Sequence, residues 1–267
     1  MRLGYSALTK KNYSFKQHGS PDANLLGMDI GICRIKKNSI NNYCFADDES
    51  AFLLLEGEAA FTCGTAGFEA ARRSVFDELP SAFHVPCNTT VTVAANEDTK
   101  ILLQRVTNPS WFAPVFYSQN NIGERILGGD ALQGCSERVI RDIFNYENAP
   151  YSNMVMGEVV TLPGRWSSYP PHSHPQPEVY YYLFDKPQGF GVSFIGEKTK
   201  IVASGDVSII PGGFTHPQCA AAGYAMYFCW MIRHLPGNPW SDRIVDPAHA
   251  WLENSDAEVW AKKSGDK

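Results

Sequence analysis

Long apolar stretches are absent from this sequence. No apolar run approaches the roughly 20 residues that a membrane helix needs, and the longest candidates, such as 224–232, have the length of a strand. The first 15 residues also lack the apolar core of a secretory signal. These absences predict a soluble, cytoplasmic protein that has no membrane partner.

Closely paired cysteines and runs of basic residues are missing as well. The seven cysteines include no CxxC pair, so we expect free thiols in a reducing compartment rather than a disulfide framework. Lys and Arg number 23 against 28 Asp and Glu, which gives a formal net charge of −5. Because no basic run is available to follow a phosphate backbone, no nucleic-acid partner is expected.

Short apolar segments between turn residues dominate instead. Seventeen prolines and 22 glycines separate stretches rich in β-branched and aromatic residues, which is typical of strands. Strands are predicted at 52–55, 82–85, 90–94, 101–106, 154–161, 179–184, 191–194, 207–210 and 225–232. Helical periodicity is scarce: 66–73 could be a short helix or a loop, and 256–263 a terminal helix. The predicted class is an all-β sandwich or barrel.

A weak internal similarity divides the chain into two halves. Residues 74–95 and 205–230 both show a strand, a turn marked by proline, and another strand. The region between them is rich in Gly, Asn and charged residues. Two copies of one β-fold are therefore predicted, with a first domain at 1–115, a linker at 116–150 and a second domain at 151–267.

Three histidines and one glutamate form the most informative pattern. His172 and His174 are two residues apart, so on a strand both side chains project to one face. Glu178 has the same parity, and His216 follows a short strand bounded by turns. If the two segments run side by side, these side chains can bind one divalent ion of Zn, Mn, Fe, Co or Ni. One or two positions would remain for water or substrate.

An HxH pair alone is a weak signal, and a single histidine such as His216 could equally satisfy a hydrogen bond in the core. The joint pattern is stronger, because it resembles the two motifs of the cupins. The glycine, proline, glycine and histidine of the second motif match in spacing, while the gap from Gly164 to His172 is longer than usual. The other histidines have no ligand-like neighbours: His18, His84, His234 and His249.

Longer matches identify a family. WSSYPPH (166–172), PQGF (187–190) and DPAHAW (246–251) resemble segments of the 5-deoxy-glucuronate isomerases of bacterial inositol catabolism, and 74–93 resembles another. The resemblance implies a bicupin, that is, two jelly-roll (cupin) β-barrels in tandem with metal ligands in the C-terminal barrel alone. The first half agrees, since it contains no HxH pair.

The same resemblance implies a metal-dependent aldose–ketose isomerase that converts 5-deoxy-D-glucuronate to 2-deoxy-5-keto-D-gluconate. The ion would polarise the carbonyl, and a base would move one proton between adjacent carbons. The candidates for moving the proton are Glu178, Tyr180, Tyr182 and Lys186. The candidates for binding the sugar-acid carboxylate are Arg138, Arg165 and Arg233. Of these, Arg138 matches a family arginine.

Two departures from the family leave the substrate open. Three residues separate His174 from Glu178, a short spacing similar to that of the 4-deoxy-5-ketouronate isomerases of pectin breakdown. Residues 231–234 are MIRH, where the family has Met-Ala-Gly. The alternatives from other classes are a cupin dioxygenase or decarboxylase and a non-enzymatic sugar-binding cupin. The sequence also leaves a homodimer or a higher homo-oligomer open.

Overall fold

The computed structural model describes residues 5–7, 26–254 and 256–260. Within these ranges the chain forms 21 strands and two short 3₁₀ helices, η1 (Leu132–Gly134) and η2 (Ala250–Glu253). The all-β class predicted from the sequence is therefore confirmed. No helix in these ranges has the length and apolar character required to span a bilayer.

The strands fall into two groups along the chain. Those up to residue 117 are β1 (Tyr5–Ala7), β2 (Asp29–Ile35), β3 (Ile40–Tyr43), β4 (Asp48–Cys63), β5 (Ala66–Arg72), β6 (Ala82–Val85), β7 (Val91–Ala95), β8 (Thr99–Thr107) and β9 (Val115–Tyr117). The later ones are β10 (Arg125–Leu127), β11 (Arg138–Phe144), β12 (Met154–Thr161), β13 (Trp166–Ser167), β14 (His172–Ser173), β15 (Glu178–Phe184), β16 (Phe190–Ile195), β17 (Lys198–Ala203), β18 (Asp206–Ile210), β19 (Gln218–Ala220), β20 (Met226–Arg233) and β21 (Ile244–Val245).

Antiparallel sheets form each half. In the first half, an eight-stranded sheet contains the path β2-β8-β4-β6-β9. Strands β5 and β7 pair with the long β4, and β3 pairs with β7. In the second half, a seven-stranded sheet has the order β1-β18-β15-β20-β12-β11-β10, and a four-stranded sheet has the order β13-β19-β16-β17. One apolar cluster contains residues of both sheets of the second half, so these two sheets pack against each other as the walls of a barrel.

Each predicted strand overlaps an observed one, and β6 and β12 have the predicted bounds. The segment 66–73 is neither helix nor loop, because most of it forms β5, which pairs along its whole length with β4. The predicted terminal helix is not formed at 256–260, and its remaining residues lie outside the described ranges.

The predicted linker, 116–150, contributes strands to a sheet. It contains β10 and β11, and β11 pairs with β12, so that Arg141 lies opposite Glu158. The short β1 also joins the second half, by pairing with β18. The seven-stranded sheet therefore draws on all three predicted segments, and the boundaries at 115 and 150 stay a prediction.

Strand β15 shows how the fold positions the site. Its alternate residues point to opposite faces, and both faces are buried. Val179 and Tyr181 join the large core that is shared by the two halves. Tyr180 and Tyr182 point the other way, into the barrel of the second half. Burial on both sides explains why this strand is apolar or aromatic at nearly every position.

A buried ionic cluster, here called the inter-barrel cluster, also links the two halves. Arg72 of β5 donates to both carboxylate oxygens of Glu158 on β12, at 2.7 and 2.8 Å. The hydroxyl of Tyr227 donates to the same carboxylate at 2.8 Å, and Arg141 Nη1 lies 3.4 Å from it. The side chains of Arg72 and Glu158 are fully buried. Such a pair holds the halves in register, because either charge alone would be costly to bury.

Candidate metal centre

Strand pairing brings the two histidine segments together. Glu178, the first residue of β15, lies opposite Ile210, the last residue of β18. The turn that follows β18 therefore passes beside the segment 172–178 and delivers His216 to it. The register of this strand pair thus brings together Glu178 and His216, which are 38 positions apart in sequence.

A glycine permits this close approach. A Cβ atom added at Gly212 would lie 1.8 Å from the carbonyl oxygen of Pro175, which no side chain can tolerate. The next residue, Gly213, has a positive φ of 86°, a conformation that glycine adopts without strain. Its N–H donates to the carbonyl of His174 at 2.8 Å. Gly212 and Gly213 thus fix the distance between the two segments.

His174, Glu178 and His216 form a tight buried cluster, and their ligand atoms all lie within 4.8 Å of one another. Glu178 Oε2 is 3.3 Å from His174 Nε2 and 3.2 Å from His216 Nε2. His172 lies beside this cluster, with its ring centroid 4.9 Å from that of His216. The structure thus brings all four predicted ligands to one place.

Backbone carbonyls orient the three imidazoles in the same way. Each Nδ1 lies 2.9 Å from a carbonyl oxygen, that of Pro170 for His172, Gln176 for His174 and Phe214 for His216. A carbonyl oxygen can only accept, so each Nδ1 carries the hydrogen. The lone pair of each neutral ring is then on Nε2. Metal-binding histidines are commonly held in this way.

The donor set fits a cation. Burial lowers the pKa of His216, so the ring is neutral, and its buried Nε2 has no hydrogen-bond partner among the described residues. This lone pair faces a carboxylate oxygen at 3.2 Å, an arrangement that is repulsive without a positive charge. Two ligand atoms at about 2.1 Å from one ion lie roughly 3.0 to 3.4 Å apart, which matches this spacing.

The other two histidines differ in charge preference. Burial and the neighbouring His216 lower the pKa of His172 to about 3, so this ring is neutral near pH 7. Burial also favours the neutral form of His174, but the hydrogen bond and charge of Glu178 outweigh it and raise the pKa. A proton on His174 Nε2 and a metal ion would compete for the same lone pair.

A cavity of about 300 Å³ opens onto these residues, large enough for a small sugar acid. One wall is apolar and includes Val159, Phe228, Trp230 and Ile232. Tyr180 also lines the cavity, with its hydroxyl 2.9 Å from Ser168 Oγ. Burial, followed by the charge of Glu178, raises the pKa of Tyr180 well above its usual value, so its hydroxyl keeps its proton.

The remaining candidates for proton transfer lie elsewhere. Tyr182 does not line the cavity, and its hydroxyl bonds to Ser193, Ser208 and Gln218 instead. Because Gln218 donates to the carbonyl of His216 at 2.7 Å, Tyr182 helps to position a candidate ligand. Lys186 is exposed and follows the far end of β15, about 20 Å of strand away from Glu178.

One of the three candidate arginines reaches the cavity. Arg138 lines it, whereas Arg165 and Arg233 do not. The side chain of Arg233 instead packs over Gly27. Arg243 and Trp240 also line the cavity, although the sequence reasoning missed them. The signal that could have found them is their position just before DPAHAW, a stretch already matched to the family.

Two curated relatives carry the same name. The 5-deoxy-glucuronate isomerase of Geobacillus kaustophilus is 29% identical over 227 residues, covering 78% of this chain and 79% of that protein. The 5-deoxy-glucuronate isomerase of Bacillus licheniformis is 27% identical over 254 residues, covering 86% of this chain and 89% of that protein. The similarity therefore extends over most of both chains.

Solved structures share the fold, and a family model also matches the chain. An IolB-like protein from Salmonella typhimurium superposes with a TM-score of 0.84 at 22% identity, covering 94% of this chain and 99% of that one. Lactobacillus farciminis oxalate decarboxylase superposes with a TM-score of 0.67 at 11% identity, covering 92% of this chain and 89% of that one. These likenesses confirm the predicted bicupin fold. The model of the KduI/IolB family matches residues 6–252, and this chain therefore belongs to the KduI/IolB family.

Proposed function

We propose that this chain is a metal-dependent isomerase that converts 5-deoxy-D-glucuronate to 2-deoxy-5-keto-D-gluconate. The observation that carries the proposal is the cavity, in which three imidazoles and a carboxylate lie beside a protonated phenol and an arginine. The name shared by the curated relatives supports the same reaction. The substrate is a sugar acid, and Arg138 is the proposed ligand of its carboxylate.

The proposed ligands of one divalent ion per chain are His172, His174, Glu178 and His216. Nitrogen and oxygen donors of this kind accept Zn, Mn, Fe, Co or Ni. An ion bound there would supply positive charge that polarises the carbonyl oxygen of the substrate. The three histidines would hold that charge in place, because their Nδ1 atoms are fixed by backbone carbonyls.

Isomerisation moves one proton from carbon 2 to carbon 1 of the sugar and one from oxygen 2 to oxygen 1. Glu178 and Tyr180 are the proposed groups for these transfers. Both side chains line the cavity. Because the raised pKa of Tyr180 keeps its phenol protonated, Tyr180 donates that proton to oxygen 1 and regains one from oxygen 2. Glu178 accepts the carbon proton through the carboxylate oxygen that does not face His174 and His216.

Replacing Tyr180 with phenylalanine tests this role. The Tyr180→Phe variant is expected to lower kcat by about 10² to 10⁴, because the proton donor is lost, while the metal content per chain stays unchanged. Turnover and metal content are measured on the same preparation. Tyr146→Phe is the matched control, since Tyr146 is 43% exposed and lies outside the cavity. A Tyr180→Phe variant within twofold of the control would rule out the assigned role.

One observation favours a second substrate. His174 and Glu178 are separated by three residues, the short spacing that resembles 4-deoxy-5-ketouronate isomerases. That substrate is also a sugar acid with a carbonyl next to a hydroxyl-bearing carbon. The same residues would act on it in the same roles, so the two candidates differ in substrate and not in chemistry.

Direct assay of the purified protein distinguishes the candidates. Product formation from 5-deoxy-D-glucuronate and from 4-deoxy-5-ketouronate is followed by NMR, with and without a chelator and with oxygen uptake monitored. We expect chelator-sensitive conversion of the first substrate without oxygen uptake. Conversion of the second substrate alone would change the assigned substrate, whereas oxygen uptake would replace the isomerase with a dioxygenase. Conversion of neither would refute the proposal.

A further inference from the structure

A segment near the C-terminus lines part of the cavity. This segment, residues 234–245, is here called the strap. At its far end β21 pairs with β14, so that Val245 lies opposite His172. The next residue, Asp246, donates its N–H to the carbonyl of Pro171 at 2.9 Å. The strap is therefore hydrogen-bonded to the short strand that carries a candidate metal ligand.

The strap is also anchored at its start and middle. His234 donates its backbone N–H to the carbonyl of Asn153 at 2.9 Å. Its side-chain Nδ1 accepts the backbone N–H of Trp240 at 2.8 Å. Gln176 donates to the carbonyl of Asn238 at 2.8 Å. These contacts hold the strap against the segment between His174 and Glu178. Side chains of the strap thus have fixed positions relative to the metal ligands.

Two of these side chains face the cavity with hydrogen-bond donors. The ring of Trp240 lies 6.3 Å from that of His174 and 5.5 Å from that of Trp230. Its indole Nε1 is buried and has no acceptor among the described residues, and such a donor is uncommon in a folded protein. Arg243 lines the same cavity and is held from outside by Glu253, at 3.2 Å.

Arg138 lines the same cavity, and its charge has no acidic partner in the described part of the chain. Its guanidinium is buried and donates to the carbonyl of Ser136 at 2.7 Å. Burial, followed by the positive charge of Arg243, lowers the pKa of Arg138 to about 10. By contrast, Arg125 of the same cavity is paired with Asp142. Two cationic side chains that line one partly desolvated cavity favour an anion between them.

We infer that Arg243 and Trp240 of the strap, together with Arg138, form the subsite that binds the carboxylate of the substrate and selects acids over neutral sugars. The identity of the acid rests on the proposed function, but the selection for a carboxylate does not. A planar carboxylate has two oxygens, and guanidinium groups match this geometry. Because β21 pairs with β14, one end of the substrate and a candidate metal ligand are positioned by the same pair of strands.

Calorimetric titration tests the subsite without depending on turnover. D-glucuronate and D-glucose are titrated into the protein as purified, since they differ by a carboxylate against a hydroxymethyl group. The wild type is expected to bind the acid at least about tenfold more tightly. Arg243→Gln is expected to weaken binding of the acid by about 10- to 100-fold, with little effect on the neutral sugar and no change in metal content.

Arg73→Gln is the matched control, because it removes the same charge from an exposed position in the first half. Equal affinity of the wild type for acid and neutral sugar would overturn the inference. An Arg243→Gln variant that binds the acid as the Arg73→Gln control does would overturn it as well. Retained selection for the acid in a protein that fails the isomerase assay would refute the proposed function and leave the carboxylate subsite standing.

Discussion

Replacing His216 with alanine is expected to abolish stoichiometric metal binding and to lower isomerase turnover by roughly a thousandfold or more. His216 is 1% exposed, and its Nε2 is one of the three ligand atoms within 4.8 Å of one another. Without it, Glu178 would bond only to His174, which can accept a proton in place of the metal. Metal per chain, measured by plasma mass spectrometry, and turnover are the two measurements.

His249→Ala serves as the control for this variant. His249 is exposed and lies outside the cavity, so the control should keep both the metal and the activity of the wild type. Circular dichroism and a thermal melt on both variants separate loss of metal from loss of fold. A folded His216→Ala protein that still holds one ion per chain would show that His216 is not required to bind the ion.

Replacing Arg72 with methionine is expected to lower the free energy of unfolding by about 3 to 5 kcal/mol. The substitution leaves the Glu158 carboxylate buried between the two halves without its main partner, which donates at 2.7 and 2.8 Å. It also removes donors from the carbonyls of Leu54 and Glu78. Chemical unfolding in urea, followed by tryptophan fluorescence, gives the change from the shift in midpoint.

Lys36→Met is the matched control for Arg72→Met. Lys36 and Asp98 also form an ion pair of 2.7 Å, but their side chains are 83% and 64% exposed. Water screens such a pair, so no measurable change in the midpoint is expected. If Arg72→Met is as stable as this control, the inter-barrel cluster does not hold the two halves together.

The sequence predicted the strands that follow a strict apolar pattern, and it missed those that depend on distant partners. Strand β5 contains AGFEAAR, whose alanines and glutamate favour a helix in isolation. It forms a strand because it pairs with β4, where the ring of Phe68 stacks 6.1 Å from that of Phe61. Pairing within the sheet thus overrides local propensity.

The candidate ligands could be predicted because their spacing and parity are local properties of the sequence. The depth of a side chain in the barrel is not local. Tyr180 and Tyr182 have the same parity, yet Tyr180 lines the cavity and Tyr182 is buried in a hydrogen-bond network below it. The stretch beside Arg243 marks it as a candidate, but its place in the cavity is not a local property, because it depends on the pairing of β21 with β14, some 70 residues earlier.

Titration of the metal-free protein with a divalent ion is the most direct test of the link between the metal centre and isomerisation. The chelated protein is titrated with Zn, Mn, Fe, Co or Ni, and conversion of 5-deoxy-D-glucuronate is measured at each addition. If the four proposed ligands form one catalytic site, turnover starts near zero, rises linearly and levels off at one equivalent per chain. Full turnover in the absence of any ion would contradict a metal-dependent isomerase.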